Sequence, residues 1–275
     1  AGPRCPGRLR RAGSGRLSAM VTSSRADRLS AGLAELGLDL PPDRQALLLD
    51  YLDLIQKWTR VYNLTAVRDP DEMFTHHLMD SLAVVGPLRR HLLGRGAGKT
   101  VTRPAASAIP AEPGVPAVGR PRPVGAAIAG EGVSTRLLDV GSGAGLPGVV
   151  LAICLPRLQV DCVDTVAKKA AFIQQAAGQL KLPNLRGVHD RVERLAGPYD
   201  VVCSRAFASL ADFVTWSSGA LAADGAWLAM KGRHPEAEIA ELPPGVAVFH
   251  VEPLRVPGLE AERCIVWLKK TQPLT

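Results

Sequence analysis

From residue 136 onward the chain alternates between two kinds of apolar run. Residues 136–140 (RLLDV), 158–164 (LQVDCVD), 184–189, 199–203 (YDVVC), 225–230 (GAWLAM), 246–252 and 263–269 read as strands. Helix-like runs at 147–154, 167–181, 209–221 and 235–241 fall between them. Strands that alternate with helices predict an α/β fold, with a mostly parallel sheet covered on both faces. The last two strands are separated only by PLRVPGLEAE. A link that short favours a hairpin, so one antiparallel strand is expected near the edge of a seven-stranded sheet.

The region before 136 follows different rules. Residues 1–22 lack periodicity and read as a disordered leader, with Met20 a plausible natural start. Residues 23–93 read as a helical part. A first amphipathic helix spans 24–37 and ends at Gly37, and Pro41 and Pro42 open a second with Asp43 in its first turn. Leu48, Tyr51, Leu52, Ile55 and Trp58 share one face of that second helix. The loop NLTAVRDP leads to a third helix from about Asp71 to Val85. In residues 94–134, 23 of 41 are Gly, Pro or Ala, which predicts a disordered insertion before a core at 135–275. The insertion opens with GRGAGKT, but Leu93 stands where a phosphate-binding P-loop needs its first glycine, and no strand precedes it.

Charge and cysteine usage narrow the function classes. Residues 1–28 hold seven Lys/Arg against one acid and residues 89–136 eight against two, so these tracts carry +12 and the rest −5 of the net +7. Basic tracts that look unfolded attract phosphate or are simply solvated low-complexity sequence. The five cysteines (Cys5, Cys154, Cys162, Cys203, Cys264) form no C-x-x-C and no even-numbered framework, so reduced, mostly buried thiols in a cytoplasmic protein are expected. No apolar run approaches the roughly 18 residues of a membrane span, so no membrane partner is expected.

The stretch LLDVGSGAGLPGVV (137–150) holds the densest chemical signal. Gly141, Gly143 and Gly145 follow the first strand, but position 146 is leucine, so the dinucleotide spacing G-x-G-x-x-G is not met. Asp139, two residues ahead of the first glycine, would repel a pyrophosphate. The same carboxylate suits a cationic cofactor head, such as the ammonium of S-adenosylmethionine. Pro147 fits the first turn of the next helix, whose N–H groups can meet a carboxylate. The second strand ends in Asp164, placed to accept hydrogen bonds from ribose hydroxyls. The bland alternative is a tight turn and a solvent-facing acid.

DVGSGAGLPGVVLAI, NLTAVRDPDEMFTHHLMDSLAVV (63–85), SRAFASL (204–210), LAMKG (228–232) and RCIVWLKK (263–270) together resemble the ribosomal RNA small subunit methyltransferase G family. The resemblance runs from about Met20 to Lys270, with 94–134 as a departure. It implies a Rossmann-like class I S-adenosylmethionine-dependent methyltransferase fold plus N-terminal helices. It also implies methylation of N7 of one guanine in the decoding region of 16S rRNA. Cofactor contacts are implied at Gly141, Leu146, Val192, Glu193 and Arg205.

Accepting a methyl group on the free lone pair of N7 leaves no proton to remove, so no catalytic side chain is named. Alignment alone supplies the chemistry. The expected partner is 16S rRNA or the small ribosomal subunit, and the expected state a monomer. Lys231, Arg60, Arg68 and Arg233 are candidates to touch phosphate, which positions RNA without reading it. Cys203 reads as core rather than nucleophile. His76 and His77 point about 100° apart on a helix, and no further His/Cys cluster supports a metal. Two competing readings stand beside the main one: a small-molecule methyltransferase, and a non-enzymatic RNA-binding or assembly protein on the same fold.

Overall fold

The computed structural model describes residues 23–96, 135–205, 207 and 209–271. The expected leader 1–22, with Met20 and Cys5, and residues 97–134 of the expected insertion lie outside the described residues.

The N-terminal part begins with α1 (Arg25–Glu35), closed by a capping box in which Ser24 and Asp27 satisfy each other's backbone N–H groups. Helix α2 (Pro42–Tyr62) starts on its proline and buries Leu48, Tyr51, Leu52 and Ile55, with Trp58 half-buried beside them. It ends at Asn63, whose φ of 50° is left-handed, a conformation asparagine tolerates better than most residues. The third helix is not uniform. It opens as α3 (Pro70–Met73), capped by Asp69, widens into a π-helical stretch at Phe74–Met79, and returns as α4 (Asp80–Leu82).

A further helix, α5 (Val85–Gly96), was not singled out in the sequence, and it runs three residues into the stretch expected as an insertion. Its proline and three glycines make it a poor helix by propensity. Burial of Val85 and Leu88 in the core supplies what propensity lacks.

Strands β1 (Arg136–Val140), β2 (Gln159–Asp164), β3 (Leu185–His189), β4 (Tyr199–Ser204), β5 (Leu221–Lys231), β6 (Val246–Pro253) and β7 (Cys264–Lys270) form one sheet in the order β3-β2-β1-β4-β5-β7-β6. Neighbours from β3 to β5 pair in parallel, and β7 is antiparallel to both β5 and β6. The antiparallel strand therefore lies one place in from the edge. Helices α6 (Gly148–Cys154), α7 (Ala167–Gln179), α8 (Leu210–Ser217) and α9 (Glu236–Ala240) fill the connections.

Alternate strand residues divide between two cores. Leu137, Cys162, Val201 and Leu228 face the layer built by α6, α7 and the N-terminal helices, whereas Leu138, Val163, Val202 and Trp227 face the layer that holds α8. Burial on both faces is why these strands read as continuous apolar runs.

The basic tracts are less free than composition suggested. Arg25 pairs with Asp53 at 2.7 Å, Arg28 with Asp71, Arg90 with Glu252 at 2.8 Å and Arg136 with Asp161 at 3.5 Å. Among the described residues, no helix is long and apolar enough to cross a membrane.

Candidate active site

Strand β1 is flanked by β2 on one side and β4 on the other. Chain order reverses direction at this point, and an open α/β sheet leaves its ligand crevice there, beyond the carboxyl ends of the strands. The glycine loop occupies that position. Gly141, Gly143 and Gly145 have φ of 65°, 60° and 86°. Space is open where a Cβ on Gly141 or Gly143 would stand, whereas at Gly145 it would meet Val149 Cγ2 at 2.5 Å. The first two glycines thus keep a surface clear, and the third lets the loop fold onto α6.

Leu146 is buried, its N–H donates to the Ser142 carbonyl at 3.0 Å, and its peptide bond to Pro147 is cis. Pro147 caps α6 rather than forming its first turn.

The two strand-end acids are both buried but differently employed. Asp139 is wholly enclosed, and its Oδ2 accepts from the Gly148 N–H at 2.8 Å. The first N–H of α6 is therefore spent on the protein's own carboxylate rather than left for a ligand. Its Oδ1 is buried without a hydrogen-bond partner. Burial pushes the Asp139 carboxyl up to about 7, against the Gly148 N–H, the Arg205 charge and the weak Cys203 thiol donor, which hold it down. Asp164 is not solvent-facing. Its Oδ2 accepts from the Gly143 N–H at 3.0 Å and its Oδ1 from the Val166 N–H at 2.9 Å, with Lys169 Nζ at 3.7 Å.

Val192 and Glu193 form a 3₁₀ turn just after β3. Val192 is buried, and Glu193 is exposed, 3.4 Å from Arg191. Arg205 leaves the end of β4, but its guanidinium turns toward the N-terminal helices. Nη1 donates to the His76 carbonyl at 3.0 Å and lies 3.5 Å from Asp80 Oδ2. Sheet and loop thus bring Asp139, Asp164, the three glycines, Val192, Glu193 and Arg205 to one edge.

The family model described as GidB, rRNA small subunit methyltransferase G, matches residues 44–98 and 126–266. Ribosomal RNA small subunit methyltransferase G of Paracidovorax citrulli is 60% identical over 241 residues, covering 88% of both chains. The protein of the same name in Acidovorax ebreus is 58% identical over 253 residues, covering 92% of this chain and 99% of its own. The chain belongs to the rRNA small subunit methyltransferase G family. Among solved structures, TrmN from Thermus thermophilus is similar at a TM-score of 0.43 and 21% identity, covering 50% of this chain and 44% of its own.

S-adenosylmethionine is the cofactor of this methyltransferase family, and the residues present fit it. The open surface at Gly141 and Gly143 admits a ligand against bare backbone. The orphaned Asp139 Oδ1 is an acceptor that a cationic donor would satisfy. Each Asp164 oxygen has acceptor capacity beyond its backbone bond, enough for ribose hydroxyls.

Several anchors of the site escaped sequence reading. Tyr51 reads as one more apolar residue on α2, yet its hydroxyl donates to the Ala144 carbonyl at 2.6 Å and reaches the Gly145 carbonyl at 3.2 Å. Asp80 is buried between Arg205 and Arg263, whose Nε donates at 3.0 Å. Its only sequence signal is its place in HHLMDS. His77 is buried with Nε2 2.7 Å from Thr65 Oγ1, and burial lowers its ring to about 4, so the imidazole is neutral at pH 7.

Lys231 is not free for phosphate: its ammonium lies 2.7 Å from Glu238. Arg60, Arg68 and Arg233 are exposed. Cys154, Cys162, Cys203 and Cys264 are buried free thiols, and burial pushes each of them up. Among the described residues no cluster of three metal-ligating side chains occurs.

Proposed function

We propose that this chain transfers the methyl group of S-adenosylmethionine to N7 of one guanine in the decoding region of 16S rRNA, acting as a cytoplasmic monomer on rRNA or the small subunit. The carrying observation is the orphaned Asp139 Oδ1 beneath the glycine loop, in a chain that belongs to a small-subunit rRNA methyltransferase family.

In this reading Asp139 holds the cofactor's ammonium and Asp164 its ribose. Gly141 and Gly143 let the backbone close on it, and Val192 and Glu193 stand beside the adenine. When bound, the cofactor supplies an electrophilic methyl carbon. The N7 lone pair forms the new bond as the carbon–sulfur bond breaks toward sulfur, and no proton moves. At this edge Asp164 is already committed to two backbone N–H groups and Arg205 to His76 and Asp80, and in this reading Asp139 is taken up by the cofactor's ammonium. Such an edge works by alignment rather than by proton transfer.

The test mixes the protein with methyl-labelled S-adenosylmethionine and small subunits that lack the modification, then maps the labelled nucleotide. Label on one guanine N7, absent with Gly141→Arg, supports cofactor, activity and target together. Cofactor binding without label on subunits or naked rRNA would refute the target and favour a small-molecule substrate. RNA binding indifferent to Gly141→Arg, again without label, would favour an assembly role. Sedimentation of the free protein checks the monomer.

A further inference from the structure

Away from the crevice, the C-terminal end of α2 and the start of α3 enclose a second cavity, of about 40 Å³. Its lining is Gln56, Thr59, Arg60, Arg68, Pro70 and Met73. One buried water needs roughly 10–15 Å³ by this measure, so the cavity has room for about three such groups, the size of a phosphate's exposed oxygens.

Two of its polar atoms are buried and unsatisfied: the Thr59 hydroxyl and the Gln56 amide nitrogen. Thr59 is only 2% exposed, so water does not hide the cost of its lone hydroxyl. Gln56 offers its nitrogen because Arg25 Nη2 donates to its Oε1, at 3.5 Å. Arg60 has no hydrogen bond or ion pair among the described residues. Arg68 is held in place by Asn63 Oδ1 at 2.5 Å, a neutral acceptor that leaves its charge unneutralised.

The nearby acids are employed elsewhere. Asp69 caps α3 through the Asp71 and Glu72 N–H groups, and Asp71 pairs with Arg28. Two guanidinium groups, an amide nitrogen and a hydroxyl around one small cavity form a donor set that suits an oxyanion.

We propose that this cavity seats one phosphate of the RNA backbone. The inference rests on the rRNA reading above and adds a contact that positions the strand. Thr59 lies eight residues along α2 from Tyr51, about 12 Å by helical rise. Met73 lies three residues before His76, the residue that receives Arg205. The cavity is thus built on the same two elements that hold the glycine loop and Arg205, so a phosphate seated there fixes RNA relative to the methyl donor.

The experiment titrates unmethylated 16S rRNA against the full chain and its Thr59→Val, Arg60→Gln and Arg68→Gln variants at several salt concentrations. Thr59→Val removes a hydroxyl that has no partner in the free protein, so its thermal stability holds or rises while rRNA affinity falls about tenfold. Each arginine variant weakens binding, and the two together reduce the salt slope by about 0.7–0.9, one phosphate's share. S-adenosylmethionine affinity is unchanged, and KM for rRNA rises while kcat stays.

Wild-type rRNA affinity and slope in all three variants would overturn the proposal. An inorganic phosphate titration separates the other source: stabilisation lost in Thr59→Val, with rRNA binding untouched, makes this a free-phosphate site and overturns the RNA contact. Methylation by the unaltered chain with unaffected variants sinks this inference alone. Weakened variants in a chain that methylates no rRNA sink the target assignment alone.

Discussion

Two nearly identical strings, GRGAG at 94–98 and GSGAG at 141–145, occur in one chain, and their described residues are placed differently. Gly94 and Gly96 end helix α5, where Arg95 binds the Asp224 carbonyl and lies 3.6 Å from Asp200. Gly141, Gly143 and Gly145 follow a buried strand and all take positive φ. The difference lies outside the strings. Asp164 reaches the second from β2, Tyr51 from α2, and Asp139 from below through Gly148. A glycine run is permissive, and its shape comes from whatever is packed against it.

The comparison breaks most forcefully at Gly148. A Cβ there would stand 2.3 Å from Cys162 Sγ and 2.8 Å from Asp139 Oδ2, both buried. Gly148→Ala is expected to cost about 3 kcal/mol of stability and to abolish cofactor binding, as read by thermal denaturation and calorimetric titration. Wild-type binding would mean that the loop does not depend on its floor.

Next in size is Asp80→Ala, which leaves Arg205 and Arg263 facing each other without their shared anion. Urea unfolding should show a loss of about 2 kcal/mol or more, with methyl transfer falling further than cofactor affinity.

The third test uses pH. Asp139 has its folded value raised to about 7 from 3.8. Its neutral form favours folding, so its contribution is full below 3.8 and is lost as pH rises toward 7. An ammonium-bearing cofactor needs the ionised form, so affinity should improve roughly tenfold from pH 6 to 8 and then level. Asp139→Asn should flatten that profile and relieve the stability loss near neutrality. A profile unchanged in the variant would remove Asp139 from cofactor recognition.

Tyr51→Phe keeps the ring and deletes one donor to two loop carbonyls, at an expected cost of about 1 kcal/mol. The loop should loosen, with cofactor affinity several-fold weaker and rRNA affinity unaltered. The smallest effect is the mirror test. Gly94→Ala, in open space at the end of α5, should raise stability by up to about 1 kcal/mol and leave cofactor binding untouched.

Much of the fold was legible because its central strands β1, β2 and β4 are largely buried on both faces, whereas the long helices α2 and α7 bury only part of their surface. Strand β1 matches the sequence reading residue for residue, and the hairpin of β6 and β7 follows from a connection too short for a crossover. Helix α5 and the π-helical stretch were not legible. The first is held by core contacts against its own propensity, and the second is a change of hydrogen-bond register that no side-chain period announces.

The site divides the same way. Asp139, the glycines and Asp164 stand out because a strand end, a turn and a second strand end carry them in order. Tyr51, Asp80 and Arg263 do not, because each acts across a long gap in sequence. Ninety-three residues separate Tyr51 from Ala144 and 183 separate Asp80 from Arg263.

By itself, then, the sequence determined the alternation of strand and helix, the crevice edge and the type of cofactor head that edge suits. Those properties depend on residues within one turn or one strand of each other. Only the tertiary structure decided which glycine string was shaped into an open loop at the crevice, which acid was left with an orphaned oxygen, and which helices hold Arg205. Each of those depends on burial and on partners brought from distant parts of the chain, and burial is what turns an ordinary aspartate or tyrosine into a positioned one.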